Sequence, residues 1–325
     1  MTPLLAAVCC QDADCLALYQ VDGGLDPAGE VPVGGHPVHA TVAADRVFVA
    51  TMDERSVSVV DVDGAVETVP TGVLGPSHFA AAADRLFVPC TGGDAVAVLD
   101  PEALALDGRV LVGAEPHEMA VRDGTGYVGS RADGVVSLVD LAAGERRRDV
   151  PVPPAADADV ARVQGVEAGE SAVYAVDQRG AAVVALTETR GITGRAAVGA
   201  DPYDLTVTGG RVYVPGRDAG TVHEFRADAD LTPVATHDVG ERPVEVVSVP
   251  DTDGPWVLHR ESPRLQSLSG PVVDLPAGGL DCHPVGPGRV LVSHYDDDAV
   301  SLVDLPGGTV DVVDAPSRPF GLLTV

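Results

Sequence analysis

Between Pro37 and Pro319 the chain keeps returning to one short pattern: a proline, one further residue, then a slot that mostly holds a group able to bind a proton or a metal. The copies are Pro37-Val38-His39, Pro76-Ser77-His78, Pro116-His117-Glu118, Pro202-Tyr203-Asp204 and Pro243-Val244-Glu245, and Pro319-Phe320-Gly321 ends the series with glycine. Two copies lack the proline, and carrying the register through them gives Asp159 and His283. Successive copies lie roughly 40 residues apart, the period of a four-stranded repeating unit.

Within each copy the pattern is that of short strands. In the first, His39 to Val42 is followed by a turn at Ala44-Asp45-Arg46, a run Val47-Phe48-Val49-Ala50-Thr51, a second turn, the run Ser56 to Val62 and a last stretch Val66 to Val69. Alternation and β-branched content predict strands rather than helices. The chain therefore reads as all-β, a β-propeller of four-stranded blades forming one domain over residues 1–325. Both ends are fragments of a unit. Pro319 to Val325 supplies a lone first strand, and Leu4 to Cys10 and Cys15 to Val21 supply a second and third. Pairing the C-terminal strand with the N-terminal ones closes the ring and removes two exposed sheet edges. This gives eight blades, or seven if the irregular fourth copy is not a complete blade.

The stretches Val33-Gly34-Gly35-His36-Pro37, Arg46-Val47-Phe48-Val49-Ala50 and Val57-Ser58-Val59-Val60-Asp61 resemble the YVTN-type β-propeller repeat, as do Val198-Gly199-Ala200-Asp201-Pro202 and Arg211-Val212-Tyr213-Val214. The resemblance spans nearly the whole chain. It implies a propeller fold. Through the propeller lactonases related to 6-phosphogluconolactonase, and more distantly virginiamycin B lyase, it also implies chemistry on a small molecule.

Composition narrows the partners. The net charge is −28, with 49 acidic residues against 21 basic ones, all of them arginine. Such a surface repels nucleic-acid phosphates and anionic membranes. No apolar run reaches the length of a membrane span. The N-terminus lacks a basic leader, and the five cysteines (Cys9, Cys10, Cys15, Cys90, Cys282) form no framework. The expected location is a reducing cytoplasm, with the thiols free. A monomer is compatible with this reading.

The slots carry the functional expectation. First strands line the channel of a propeller, so His39, His78, Glu118, Asp159, Asp204, Glu245, His283 and Gly321 are expected around one mouth. The ends of the second strands are expected beside them: His39 with Thr51, Asp159 with Asp177, Glu245 with His259, His283 with His294. Unpaired buried carboxylates are costly, so such a ring calls for cations, protons or water. A divalent transition metal (zinc, manganese, iron or copper) answers that need. His39, His78, His283 and His294 would be its ligands, and Gly321 would leave a coordination position open. Glu118, Asp159, Asp204 and Glu245 are the candidate acid–base groups. Arg318, Arg242, His259 and Asp177 are the candidate substrate contacts. His36, His117, His223 and His237 read as surface or loop residues. The expectation is a metal-dependent enzyme acting on a small polar molecule, of hydrolase, lactonase or lyase type, with oxidation also open. The alternative is a non-catalytic propeller that binds a protein or a small ligand.

Overall fold

A computed structural model describes residues 4–325. Thirty-two strands, β1 to β32 in chain order, form eight four-stranded antiparallel sheets. The described residues contain no α-helix, only one 3-10 turn at Thr91–Gly93. Strand β32 (Pro319–Thr324) pairs with β1 (Leu4–Cys10), so the first sheet joins the two ends of the chain, as expected. The irregular fourth copy is a complete blade, β16 (Val163–Ala168) to β19 (Gly191–Ala197), which rules out the count of seven.

The chain divides into two compact units of four blades each. The terminal unit comprises Met1–Val69 and Glu241–Val325, and the middle unit Pro70–Gly240. Within each, the faces of neighbouring blades bury Val, Leu and Ala against one another. In the terminal unit Ala7, Cys9, Leu16 and Leu323 pack on Val47, Val49 and Val60. Cys10 points the other way, into a cluster with Leu291, Val300 and Leu302. Each fully buried valine or leucine stabilises by about 1.5–3 kcal/mol. The aromatic residues of second strands, Phe48, Phe87, Tyr127, Tyr174, Tyr213 and Trp256, are buried core groups.

Two local devices recur among the blades. In several blades the hairpin from first to second strand is a two-residue turn in which both residues have positive φ: Ala44 (47°) and Asp45 (57°), Ala83 (49°) and Asp84 (58°), Asp123 (50°) and Gly124 (74°). That conformation matches the right-handed twist of the strands it joins. The second device is a bulge just after the opening residue of the first strand. Pro37 pairs with Thr51 but His39 with Ala50, and the same shift separates Pro116 from Met119, Val163 from Val166 and Pro243 from Glu245. A bulge leaves one backbone N–H outside the ladder, which must find another acceptor.

Candidate functional site

The bulge corrects the slot register. Val163 pairs with Asp177 as Pro116 pairs with Ser130, so the fourth slot is Gly165, and Asp159 lies in an exposed loop before β16. In β28 (Asp281–Gly286) it is Asp281 that accepts a backbone N–H from the next blade, as Glu245 and Glu118 do in theirs, and His283 lies two residues further on. Both errors fall where the proline marker is missing. The slots of the terminal unit are Glu245, Asp281, Gly321 and His39. Those of the middle unit are His78, Glu118, Gly165 and Asp204.

Most of the slot carboxylates turn out to staple blade to blade. Glu118 Oε2 accepts the N–H of Val166 (2.9 Å), Glu245 Oε2 that of Cys282 (2.8 Å) and Asp281 Oδ2 that of Leu322 (2.9 Å). In each case the donor is the residue after the slot of the next blade; for Val166 and Leu322 it is an N–H beside a bulge, whereas β28 runs in regular register past Cys282. Glu245 and Asp281 also share a side-chain hydrogen bond, which two carboxyls make by holding a proton between them. Burial pushes Asp281 above the usual carboxylate range. Gly321 opens no coordination position: a Cβ there would lie 2.1 Å from the carbonyl oxygen of Val38.

The remaining expected groups in the terminal unit are braces. His294 is fully buried, with Nε2 on Ser301 Oγ (2.6 Å) and Nδ1 facing the Gly278 carbonyl (3.3 Å), so neither ring nitrogen is left for a metal. His283 Nε2 lies 3.5 Å from Thr324 Oγ1. His39 packs edge-on against Phe320 at 5.0 Å, and burial pushes its pKa down to about 4, so it is neutral near pH 7. His259 is buried with Nδ1 on the Glu241 carbonyl (2.8 Å). Opposite the second-strand ends stand the opening residues rather than the slots: Pro37 faces Thr51, Val163 faces Asp177 and Pro243 faces His259. Arg242 reaches Glu261 at 3.5 Å. Arg318 reaches Asp296 at 3.0 Å and lies over the Tyr295 ring at 4.8 Å, which neutralises it at home. In the middle unit Asp177 is buried too, accepting the N–H groups of Arg162 and Gly180 at 3.0 Å each. Among the described residues no three His, Cys, Asp or Glu side chains are grouped to hold a metal ion. The donor set predicted for one does not fit.

The middle unit gathers a different constellation, on the residue between the opening position and the slot. In the terminal unit that residue is Val38, Val244, Leu280 or Phe320; in the middle unit it is Ser77, His117, Gln164 or Tyr203. His117 is buried, not a surface group as its position first suggested. Its Nδ1 lies 2.9 Å from the Gln164 carbonyl oxygen and so carries the proton, and its Nε2 lies 3.3 Å from the Gln164 side-chain amide. Ser77 Oγ donates to the His117 carbonyl (2.9 Å). The half-buried His78 ring meets His117 edge-on at 4.6 Å, and Tyr203 meets it at 6.1 Å. Burial raises the Tyr203 phenol above its ordinary range, so it stays protonated. Beside this group Glu118 is pushed well above the usual carboxylate range by burial and by Asp204, and Glu167 is pushed up to about 8 by burial. The signal was present in the sequence, one place before the slot, as the run Ser, His, Gln, Tyr.

No family model and no curated protein matches the chain. Solved structures do. Apo AztD from Citrobacter koseri is similar over 100% of this chain and 98% of its own, with a TM-score of 0.72 at 14% identity. The dihydro-heme d1 dehydrogenase NirN in complex with DHE is similar over 98% of this chain and 74% of its own, with a TM-score of 0.79 at 12% identity. A putative 6-phosphogluconolactonase from Bacteroides uniformis is similar over the whole of both chains, with a TM-score of 0.64 at 12% identity. At these identities the likeness establishes the architecture alone: the protein is an eight-bladed β-propeller.

Proposed function

We propose that the protein is an enzyme that moves protons on a small polar molecule at the middle unit, of the lyase or lactone-opening class. The observation that carries this is the Gln164–His117–His78 chain beside a protonated tyrosine. Gln164 engages both ring nitrogens of His117 and fixes its tautomer and plane. His117 in turn orients the partly accessible His78. His78 acts as general base, and Tyr203 donates its proton to the oxygen on which charge develops. In an elimination His78 takes a proton from carbon, the carbon–oxygen bond breaks, and the leaving oxygen takes the proton of Tyr203. Water then returns the proton from His78 to Tyr203. In lactone opening His78 takes the proton of the attacking water and Tyr203 serves the ring oxygen. No step is routed through a metal, because the four histidines first expected to hold one are not grouped for it.

The YVTN-type resemblance and the structural likeness to a putative lactonase support the reaction class. All five cysteines are free and buried, which fits a reducing compartment such as the cytoplasm. No helix among the described residues is long and apolar enough to cross a membrane. The test is turnover on a panel of aliphatic and aromatic lactones and cyclic ester-peptides. His78→Ala and Tyr203→Phe are each expected to lower kcat on any substrate found by about 100-fold or more, with the thermal midpoint held within a few degrees. Wild-type kcat in both variants would discard the reading. Tight binding of a panel member without turnover would favour a binding propeller instead.

A further inference from the structure

The 21 arginines of this chain are outnumbered by 49 acids, yet the middle unit collects several of them around Tyr203. Arg217 lies over the Tyr203 ring at 4.5 Å and pairs with Asp201 at 2.8 Å. Arg131 and Arg162 are close enough to Tyr203 to act on it electrostatically, and burial, then repulsion from Arg131, pulls the Arg162 guanidinium down from its ordinary range. Arg179 adds to that repulsion and Glu115 opposes it. All four arginines flank the strand ends or openings that place the constellation: Arg131 after Ser130, Arg162 before Val163, Arg179 two residues after Asp177, Arg217 after Gly216.

What distinguishes the group is that half-buried arginines converge on one phenol with a single carboxylate ion pair, Arg217 with Asp201, among Arg131, Arg162 and Arg217. Among the described residues neither Arg131 nor Arg162 makes an ion pair with a carboxylate, although the chain carries 49 acidic residues. The Nε of Arg131 is buried without a hydrogen-bond partner. The carboxylate of Asp201 is already shared between Arg217 and the Gln178 amide (2.7 Å). Other arginines are neutralised locally where acids are at hand, Arg147 by Asp140 and Glu188, and Arg260 by Asp296. Like charges held together in a half-buried place are unfavourable unless an anion joins them.

We infer that Arg131, Arg162 and Arg217 bind the oxyanion head group, carboxylate or phosphate ester, of the small molecule on which the His78 site acts. The inference rests on the acid–base reading above for the identity of the site. Guanidinium groups supply paired donors that match such head groups, and the phenol of Tyr203 lies among them. Tethering the anion there would hold the rest of the molecule against His78.

Isothermal titration calorimetry on the full chain tests this with succinate, inorganic phosphate and neutral succinamide, at low and at near-physiological salt. Binding of succinate or phosphate, weakened by salt, is expected, with no heat from succinamide. Succinate alone identifies a carboxylate head group, phosphate alone a phosphate ester. Arg131→Gln with Arg162→Gln is expected to weaken binding by about tenfold or more, while Arg226→Gln, exposed on β22 (Thr221–Arg226), leaves it unchanged. Circular dichroism and the thermal midpoint confirm that the double variant is folded; should it not be, Arg131→Lys alone is measured and is expected to weaken binding less. Absence of binding by both anions, or equal binding by the double variant, overturns the inference. His78→Ala separates the two proposals. Anion affinity that survives this change while turnover is unaffected would sink the acid–base role and leave the anion site standing.

Discussion

Gly321→Ala tests the corrected geometry directly. Gly321 has φ +33°, and an added Cβ would meet Val38 O at 2.1 Å, Val38 C at 3.0 Å and His39 Cα at 3.2 Å, all backbone atoms. Backbone cannot rotate aside as a flexible side chain can, so the blade that joins the chain ends must shift by about an ångström. A positive φ costs an L-residue roughly 1–2 kcal/mol, and overpacking adds about 1–3 kcal/mol. The sum is about 2–5 kcal/mol, which for a chain of this size lowers the thermal midpoint by roughly 3–7 °C. Gly108→Ala is the control, because a Cβ there meets nothing within 4 Å and the backbone conformation is ordinary. Differential scanning calorimetry of the two variants reads the difference. A Gly321→Ala midpoint equal to that of the wild type would refute the close approach and restore an open position at the slot.

Three further outcomes are expected. Glu167 has its pKa raised from 4.5 to about 8, so between these values the folded chain binds more protons than the unfolded one and stability falls as pH rises. Glu167→Gln, which keeps an acceptor for the Val207 N–H, should flatten that fall, on the order of 2 kcal/mol, in urea midpoints from pH 5 to 9. Equal pH slopes in the two proteins would contradict the burial argument. His39 has the opposite sign: its pKa is lowered to about 4, so its contribution is present above about 6.5 and lost as pH falls towards 4, and its ring proton shift in NMR should not titrate above about pH 5. A midpoint near 6.5 would show the ring to be solvated. Ala44→Asn and Ala83→Asn place a residue that tolerates positive φ in the hairpin turns, and each should raise stability by about 0.5–1 kcal/mol in chemical denaturation. A loss in both would mean that these turns do not hold the geometry seen here.

The strand-level architecture was legible in the order of residues because each blade announces itself locally. The two-residue turn at Ala44-Asp45, the valine-rich runs Val47 to Thr51 and Ser56 to Val60, and the proline before the slot recur with the blade period, and period-2 alternation with β-branched residues is a property of neighbours along the chain. The closure of β32 on β1 followed from counting fragments at the two ends. Even there the reading slipped where the marker was absent, at Asp159 and His283, because a strand without its proline shows nothing in sequence about where its bulge falls.

Side-chain destinations were a different matter. Titratable residues in one slot look alike on paper whether they hold an ion or accept an amide. It took the packing of neighbouring blades to decide that Glu118, Glu245 and Asp281 receive backbone N–H groups from the next blade. The same packing brought His117 onto Gln164, 47 residues away, and left Arg131 and Arg162 without a carboxylate ion pair in an acidic protein. Repetition along the chain dictates the fold because backbone pairing is periodic and local. The site belongs to the tertiary structure because it depends on which side chains meet across blades, and those contacts join residues about one repeat apart.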